Sequence, residues 1–102
     1  MLHVLLSLDF VNAEDQRADF YKYLEGKYWK KQAGVDTVWT ITYPLKDQSG
    51  FSDVASNISD ILLAGAEGYK PDEITYVAQI GNAEAIARIV KKKHGTYGVY
   101  AL

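Results

Sequence analysis

Residues 2–10, LHVLLSLDF, constrain the fold more than any other stretch. In an extended strand Val4, Leu6, Leu8 and Phe10 fall on one face, and His3, Leu5, Ser7 and Asp9 on the other. The first face is wholly apolar and has to be covered by helices. The second is mixed, which suits a sheet face that meets water or a partner. Asp9 stands where this apolar strand is expected to run out. A carboxylate there can turn the chain, start a helix, or hold a ligand at the sheet edge.

A chain of 102 residues is expected to form a single domain over 1–102. Its 48% apolar content suits a globular protein with a modest core, and small domains often gain stability by pairing. The absence of cysteine removes disulfides, thiolate nucleophiles and thiolate metal sites together. Wholly apolar runs fall far short of the ~20 residues that span a bilayer. The start MLHVLLSLDF has neither a basic leader nor a small-residue cleavage site, so it reads as a strand. A cytoplasmic protein without membrane association is expected. A net charge of −2 gives no bulk attraction to nucleic acid, so any such binding needs a local patch.

No internal repeat or low-complexity tract interrupts the chain. Asn12 followed by Ala-Glu-Asp is a helix start, and Ala13, Phe20 and Leu24 give an apolar stripe over about 13–25, with Gly26 at the end. KYWKKQAGVDTVWTITYP reads as two strands turning at Ala33-Gly34, the second closed by Pro44, with Trp39, Ile41 and Tyr43 toward the helices. Residues 45–50 are a loop. Val54, Ile58, Ile61 and Leu62 fit a helix over about 52–64, with Gly65 and Gly68 at its end. EITYVAQIG is a strand, with Ile74, Tyr76, Ala78 and Ile80 alternating. From Asn82 the spacing of Ala83, Ile86, Ala87 and Val90 predicts a third helix, with KKKH at its negative end and Gly95 as its stop. YGVYAL has strand character. The expected fold is α+β, a ferredoxin-like βαββαβ antiparallel sheet with helices on one face, plus a C-terminal helix and a short strand.

Motifs for metal or nucleophilic chemistry are nearly missing. There is no His-Glu-x-x-His, phosphate loop or serine elbow, and the only histidines are His3 and His94. His94 reads as a solvated cation among lysines, and His3 as an exposed residue of the open face. An RNA-recognition motif needs stacking aromatics on the open face of its central strands, and alternation puts Ser7 and Leu5 there instead. Small-molecule sensor domains of this fold usually belong to larger chains.

LLSLDF, an apolar strand running into an aspartate before a helix, resembles the opening of the CRISPR-associated Cas-two-type proteins and of the GhoS and VapD toxin–antitoxin proteins. TVWTITYP at 37–44 is similar to the third strand of their small SinR-like relatives. The likeness covers about residues 2 to 80. It implies a compact homodimer with the two copies of Asp9 near its twofold axis. In members that are nucleases this acid holds a divalent metal, Mg²⁺ or Mn²⁺, that assists phosphodiester cleavage, so the resemblance makes Asp9 both the catalytic and the metal residue of an endoribonuclease. A catalytic arginine soon after the strand is not evident, because Arg17 falls on the helix. Mg²⁺ is a hard ion typically held by one or two carboxylates, waters and phosphates, so one acid per protomer suffices.

For RNA, the candidate contacts are Lys27, Lys30, Lys31 and Arg17, with Tyr28 and Trp29 beside them; Lys91, Lys92 and Lys93 form a separate patch. Each lysine also serves as ordinary solubilising charge. A second class of function stays open beside the first: a non-enzymatic module, an antitoxin or inhibitor, that binds a protein partner through its open face or edge strand. Eight tyrosines and two tryptophans suit it, since these residues are enriched at interfaces.

Overall fold

The computed structural model describes residues 1–11, 16–35 and 37–102. Its elements are β1 (Leu2–Val11), α1 (Arg17–Gly26), β2 (Lys30–Lys31), β3 (Val38–Tyr43), α2 (Phe51–Tyr69), β4 (Glu73–Ile80), β5 (Ile86–Lys93) and β6 (Thr96–Ala101). The strands form one antiparallel sheet of six, in the order β2-β3-β1-β4-β5-β6. The protein is therefore α+β, with two α-helices among the described residues on a six-stranded sheet, larger than the expected four-stranded core. The order of its first four strands, β2-β3-β1-β4, is compatible with the split βαβ arrangement.

The alternation in β1 sets the layers. Leu2, Val4, Leu6 and Leu8 are buried beneath the helices, and their ladder partners Trp39, Tyr76, Ala78 and Ile80 are buried with them. From the helices, Phe20, Leu24, Val54, Ile58 and Leu62 complete the core. His3, Leu5 and Asp9 are exposed on the opposite face, which no helix among the described residues covers.

Three expectations need correction. The predicted third helix from Asn82 is a strand, β5, and the basic run ends that strand instead of a helix. Its apolar residues fit both periods, but Ile86, Arg88 and Val90 pair with Ala78, Tyr76 and Ile74 of β4, and burying Val90 against that ladder decides the matter. His94 and Gly95 form the two-residue loop to β6, with φ of 54° and 81°. Such left-handed pairs make the tight hairpin turns that match strand twist.

Helix α2 does not end at its glycines. It runs to Tyr69, and Lys70 takes the left-handed cap (φ 56°), donating its N–H to the Ala66 carbonyl at 2.8 Å. Gly65 is buried where α1 crosses, and a Cβ there would lie 2.8 Å from the Phe20 ring. Helix α1 ends at Gly26, as expected, but the left-handed position after it is not a glycine. Exposed Tyr28 takes the left-handed position there (φ 72°), with its N–H on the Glu25 carbonyl. Finally, β1 continues two residues past Asp9, because Phe10 returns to the helix side and packs edge-on against Phe20 at 5.0 Å. The predicted helix start at Asn12-Ala13 lies outside the described residues.

Candidate nucleic-acid interface

The open face is fixed by register. Asp9 lies opposite Thr75, Thr75 opposite Ile89, and Ile89 opposite Tyr100, so the four form one row across β1, β4, β5 and β6. The next row is Val11, Glu73, Lys91 and Gly98. Glu73 is therefore the diagonal neighbour of Asp9, a relation that sets Cα atoms roughly 7–8 Å apart. Lys93, two residues beyond Lys91, projects from the same face.

Asp9 is exposed and sits within the ladder, seven residues past Leu2, where the strand begins, and eight short of Arg17, where α1 begins. It neither turns the chain nor caps the described helix. Two of the three roles available to it fall away, and it is left as a solvent-facing carboxylate with Glu73 beside it.

Lysines on this face rest on aromatic rings. The Lys93 ammonium lies 4.0 Å from the centroid of Tyr100 and that of Lys91 5.9 Å from the same ring. On the helix side, Lys92 lies 5.2 Å from the Tyr97 ring. Tyr100 in turn lies over Gly98, where a Cβ would meet its hydroxyl at 2.7 Å. Glycine at that position lets the ring lie down on the strand. The only ion pair among the described residues is Lys46–Asp53 at 3.2 Å, far from this row. Cations on a ring keep their N–H donors for an incoming anion, whereas an ion pair would occupy them.

The four basic residues predicted from sequence are dispersed. Arg17 is exposed at the start of α1, and Lys27 lies past its end over the Tyr23 ring at 5.8 Å. Lys31 points to the helix side, donating to the Val35 carbonyl at 3.2 Å. Only Lys30 shares the open face, opposite Thr40 in the row of Leu5. Trp29 is buried, so of the neighbouring aromatics only Tyr28 is free to meet a ligand.

One further sequence signal marks the strand that holds the separate patch of Lys91 and Lys93. Residues 86–102 contain Arg88, Lys91, Lys92 and Lys93 and no acid, so all thirteen acids and seven of the eleven bases lie in 1–85. The β5–β6 hairpin carries +4 on a body of −6. Charge counted over the whole chain hides that asymmetry.

Among the described residues no three histidine or acidic side chains gather to hold a metal ion. Asp9 and Glu73 are diagonal neighbours on the open face, and Glu73 stands directly opposite Lys91. No helix among the described residues is long and apolar enough to cross a membrane. Comparisons with family models, with curated proteins and with solved structures find no match for this chain.

Proposed function

We propose that this protein is a ferredoxin-like homodimer that binds single-stranded RNA on its open sheet face, in the manner expected of a Cas-two/GhoS-like toxin–antitoxin component. The reading rests on one observation: Lys91, Lys93 and Tyr100 share that face in adjoining rows, in a hairpin without acids. Lysines hold phosphates as point charges, and a tyrosine ring offers a surface on which any base can stack. Binding would be insensitive to sequence at this end of the face. Fluorescence anisotropy with a labelled RNA oligomer tests it. Affinity should fall with salt at a log–log slope of roughly −0.7 per phosphate contacted, and Lys91→Glu with Lys93→Glu should remove most of it. Binding that is unchanged in the double variant defeats the reading and favours a protein partner.

Glu73 beside Asp9 favours a second reading, metal-assisted RNA cleavage. Bound Mg²⁺ or Mn²⁺ would polarise a phosphoryl oxygen or activate water, with Asp9 and Glu73 as its protein ligands. Asp9→Asn should then abolish divalent-dependent cleavage without changing stability. Cleavage that survives in Asp9→Asn belongs to a contaminant or to another site.

The homodimer is proposed to form along β6. The outer edge of this strand, TYGVYA, carries no charge and no proline, the usual devices that keep edges apart. Sedimentation at micromolar concentration should give a dimer, and Thr96→Lys with Ala101→Lys should give a monomer. A monomeric wild-type protein refutes the pairing.

A further inference from the structure

At the opposite end of the open face lies a cleft of about 770 Å³ between β1, β3 and the β4–β5 turn. We propose that this cleft receives one unstacked nucleobase and distinguishes it by its hydrogen-bonding edge. The proposal rests on the RNA-binding reading above and adds base discrimination to it.

The floor is Leu5, 48% exposed at the centre of the sheet, beside the His3 ring. An aliphatic side chain next to an imidazole offers a surface for the face of a planar base, and histidine is among the residues on which bases stack. The walls are neutral amides and hydroxyls held by bonds within the protein. Gln32 donates its amide to the Thr40 hydroxyl at 2.6 Å, which leaves the Gln32 carbonyl oxygen to accept from a ligand. Gln79 donates its amide to the Gly81 and Ala83 carbonyls, which leaves its own carbonyl oxygen available in the same way. The Thr42 hydroxyl lies 3.1 Å from His3 Nδ1, leaving His3 Nε2 for a partner. Two charged groups line the cleft, the Met1 α-ammonium and Asp47, which accepts from the N–H and hydroxyl of Ser49.

Such a site, whose one ammonium is balanced by the Asp47 carboxylate, disfavours a phosphate, and it disfavours a purely apolar ligand, which would strand the amides. It suits a planar, neutral group whose edge carries both donors and acceptors, as nucleobases do. The cleft also has the right relation to the lysine row. Leu5 and Asp9 are four residues apart on one strand, about 13 Å at the rise of a β-strand. A single strand crossing the face would meet the cleft with one base and Lys91 and Lys93 with its backbone.

The experiment compares adenine, cytosine and uracil RNA homopolymers and the corresponding free nucleosides, on the full chain. Anisotropy reads affinity, and amide chemical shifts read the location. One homopolymer should bind more tightly than the others. Gln32→Ala and Leu5→Ala should weaken that one by roughly ten- to a hundred-fold, the worth of a good side-chain contact to a base edge, and leave the weakest nearly unchanged. Thr40→Val, which keeps volume, should lower the preference without lowering stability. Lys91→Glu should weaken all homopolymers alike. Shifts at Leu5 and Gln32 on adding a nucleoside alone would support a free-nucleoside site, and support it even if no RNA bound. Equal affinities for all homopolymers with no nucleoside shifts at the cleft overturn the proposal and leave RNA binding standing. No binding of any RNA by the wild type overturns the RNA-binding reading instead.

Discussion

Replacing each glycine of α2 by alanine tests the crossing of the two helices. Gly65 and Gly68 lie in the same helix, three residues apart, and alanine raises helix propensity at both by about 0.8–1 kcal/mol. Their surroundings differ. A Cβ at Gly68 meets nothing within 4 Å, while one at Gly65 lies 2.8 Å from two atoms of the Phe20 ring and 2.9 Å from Tyr23. Neither ring is free to move. Phe20 is buried and packs edge-on against Phe10, Tyr23 and Tyr69, and the Tyr23 hydroxyl donates to the Ile61 carbonyl at 2.7 Å. Overpacking of that kind costs roughly 1–3 kcal/mol. Gly68→Ala should therefore gain up to about 1 kcal/mol. Gly65→Ala should come out neutral or lose up to about 2 kcal/mol once the same propensity gain is subtracted. Urea midpoints at constant slope read both values, and a difference of 1 kcal/mol moves the melting temperature of a domain this size by about 4–8 °C. Equal stabilisation by the two alanines would mean that α1 does not cross at Gly65.

Tyr28→Gly should be stabilising by up to about 1 kcal/mol, because an L side chain in the left-handed region costs ~1–2 kcal/mol and glycine gives back part of that as chain entropy. Tyr28 is 86% exposed, so little packing is lost, and a destabilised variant would show that its ring holds something in place. Phe20→Ala and Ile58→Ala should each cost roughly 2–5 kcal/mol in chemical denaturation, since both are buried between the helices and the sheet. Burial raises the ionisation of Tyr76 above the ordinary tyrosine value, and likewise that of Tyr23, Tyr43 and Tyr97. A raised folded value means stability is intact below the unfolded pKa of about 10 and declines as pH climbs from there through the raised values. Tyr76→Phe should flatten that decline, and a pH-independent denaturation midpoint across the alkaline range would contradict the burial.

The layers of the fold were legible in the sequence because the strands β1, β3 and β4 alternate without ambiguity. Leu6, Trp39 and Ala78 pair across the covered face as their spacing implies. Segment 82–94 was not legible by period. Ile86, Ala87 and Val90 sit at helical intervals, and Ile86, Arg88 and Val90 at strand intervals, so Ile86 and Val90 satisfy both. Two local signals did oppose the helix. Ile86, Ile89 and Val90 are β-branched, and His-Gly followed by TYGVYA is a hairpin loop entering a strand. The edge of β4 supplied the rest, and no single-segment pattern carries that information.

The open face was legible only as a list of residues, since cross-strand order decides what adjoins what. Asp9 is recognisable from β1 alone, but Glu73 becomes its neighbour only because β4 pairs with β1 in the register that sets Thr75 opposite Asp9. A slip of one residue would turn Glu73 toward the helices and bring Ile74 to the surface. The burial of Ile74, Tyr76 and Ala78 therefore fixes which groups lie beside Asp9. The same reasoning moves the basic site. Lys30 and Lys31 adjoin in sequence and point to opposite faces, while Lys91 and Lys93 are two apart and share one. A lysine pair at even spacing on a strand makes a surface; a consecutive pair divides its charge between two. For this chain the core selects the register, and the register assembles the lysine-bearing face at β5 and the amide-lined cleft at Leu5.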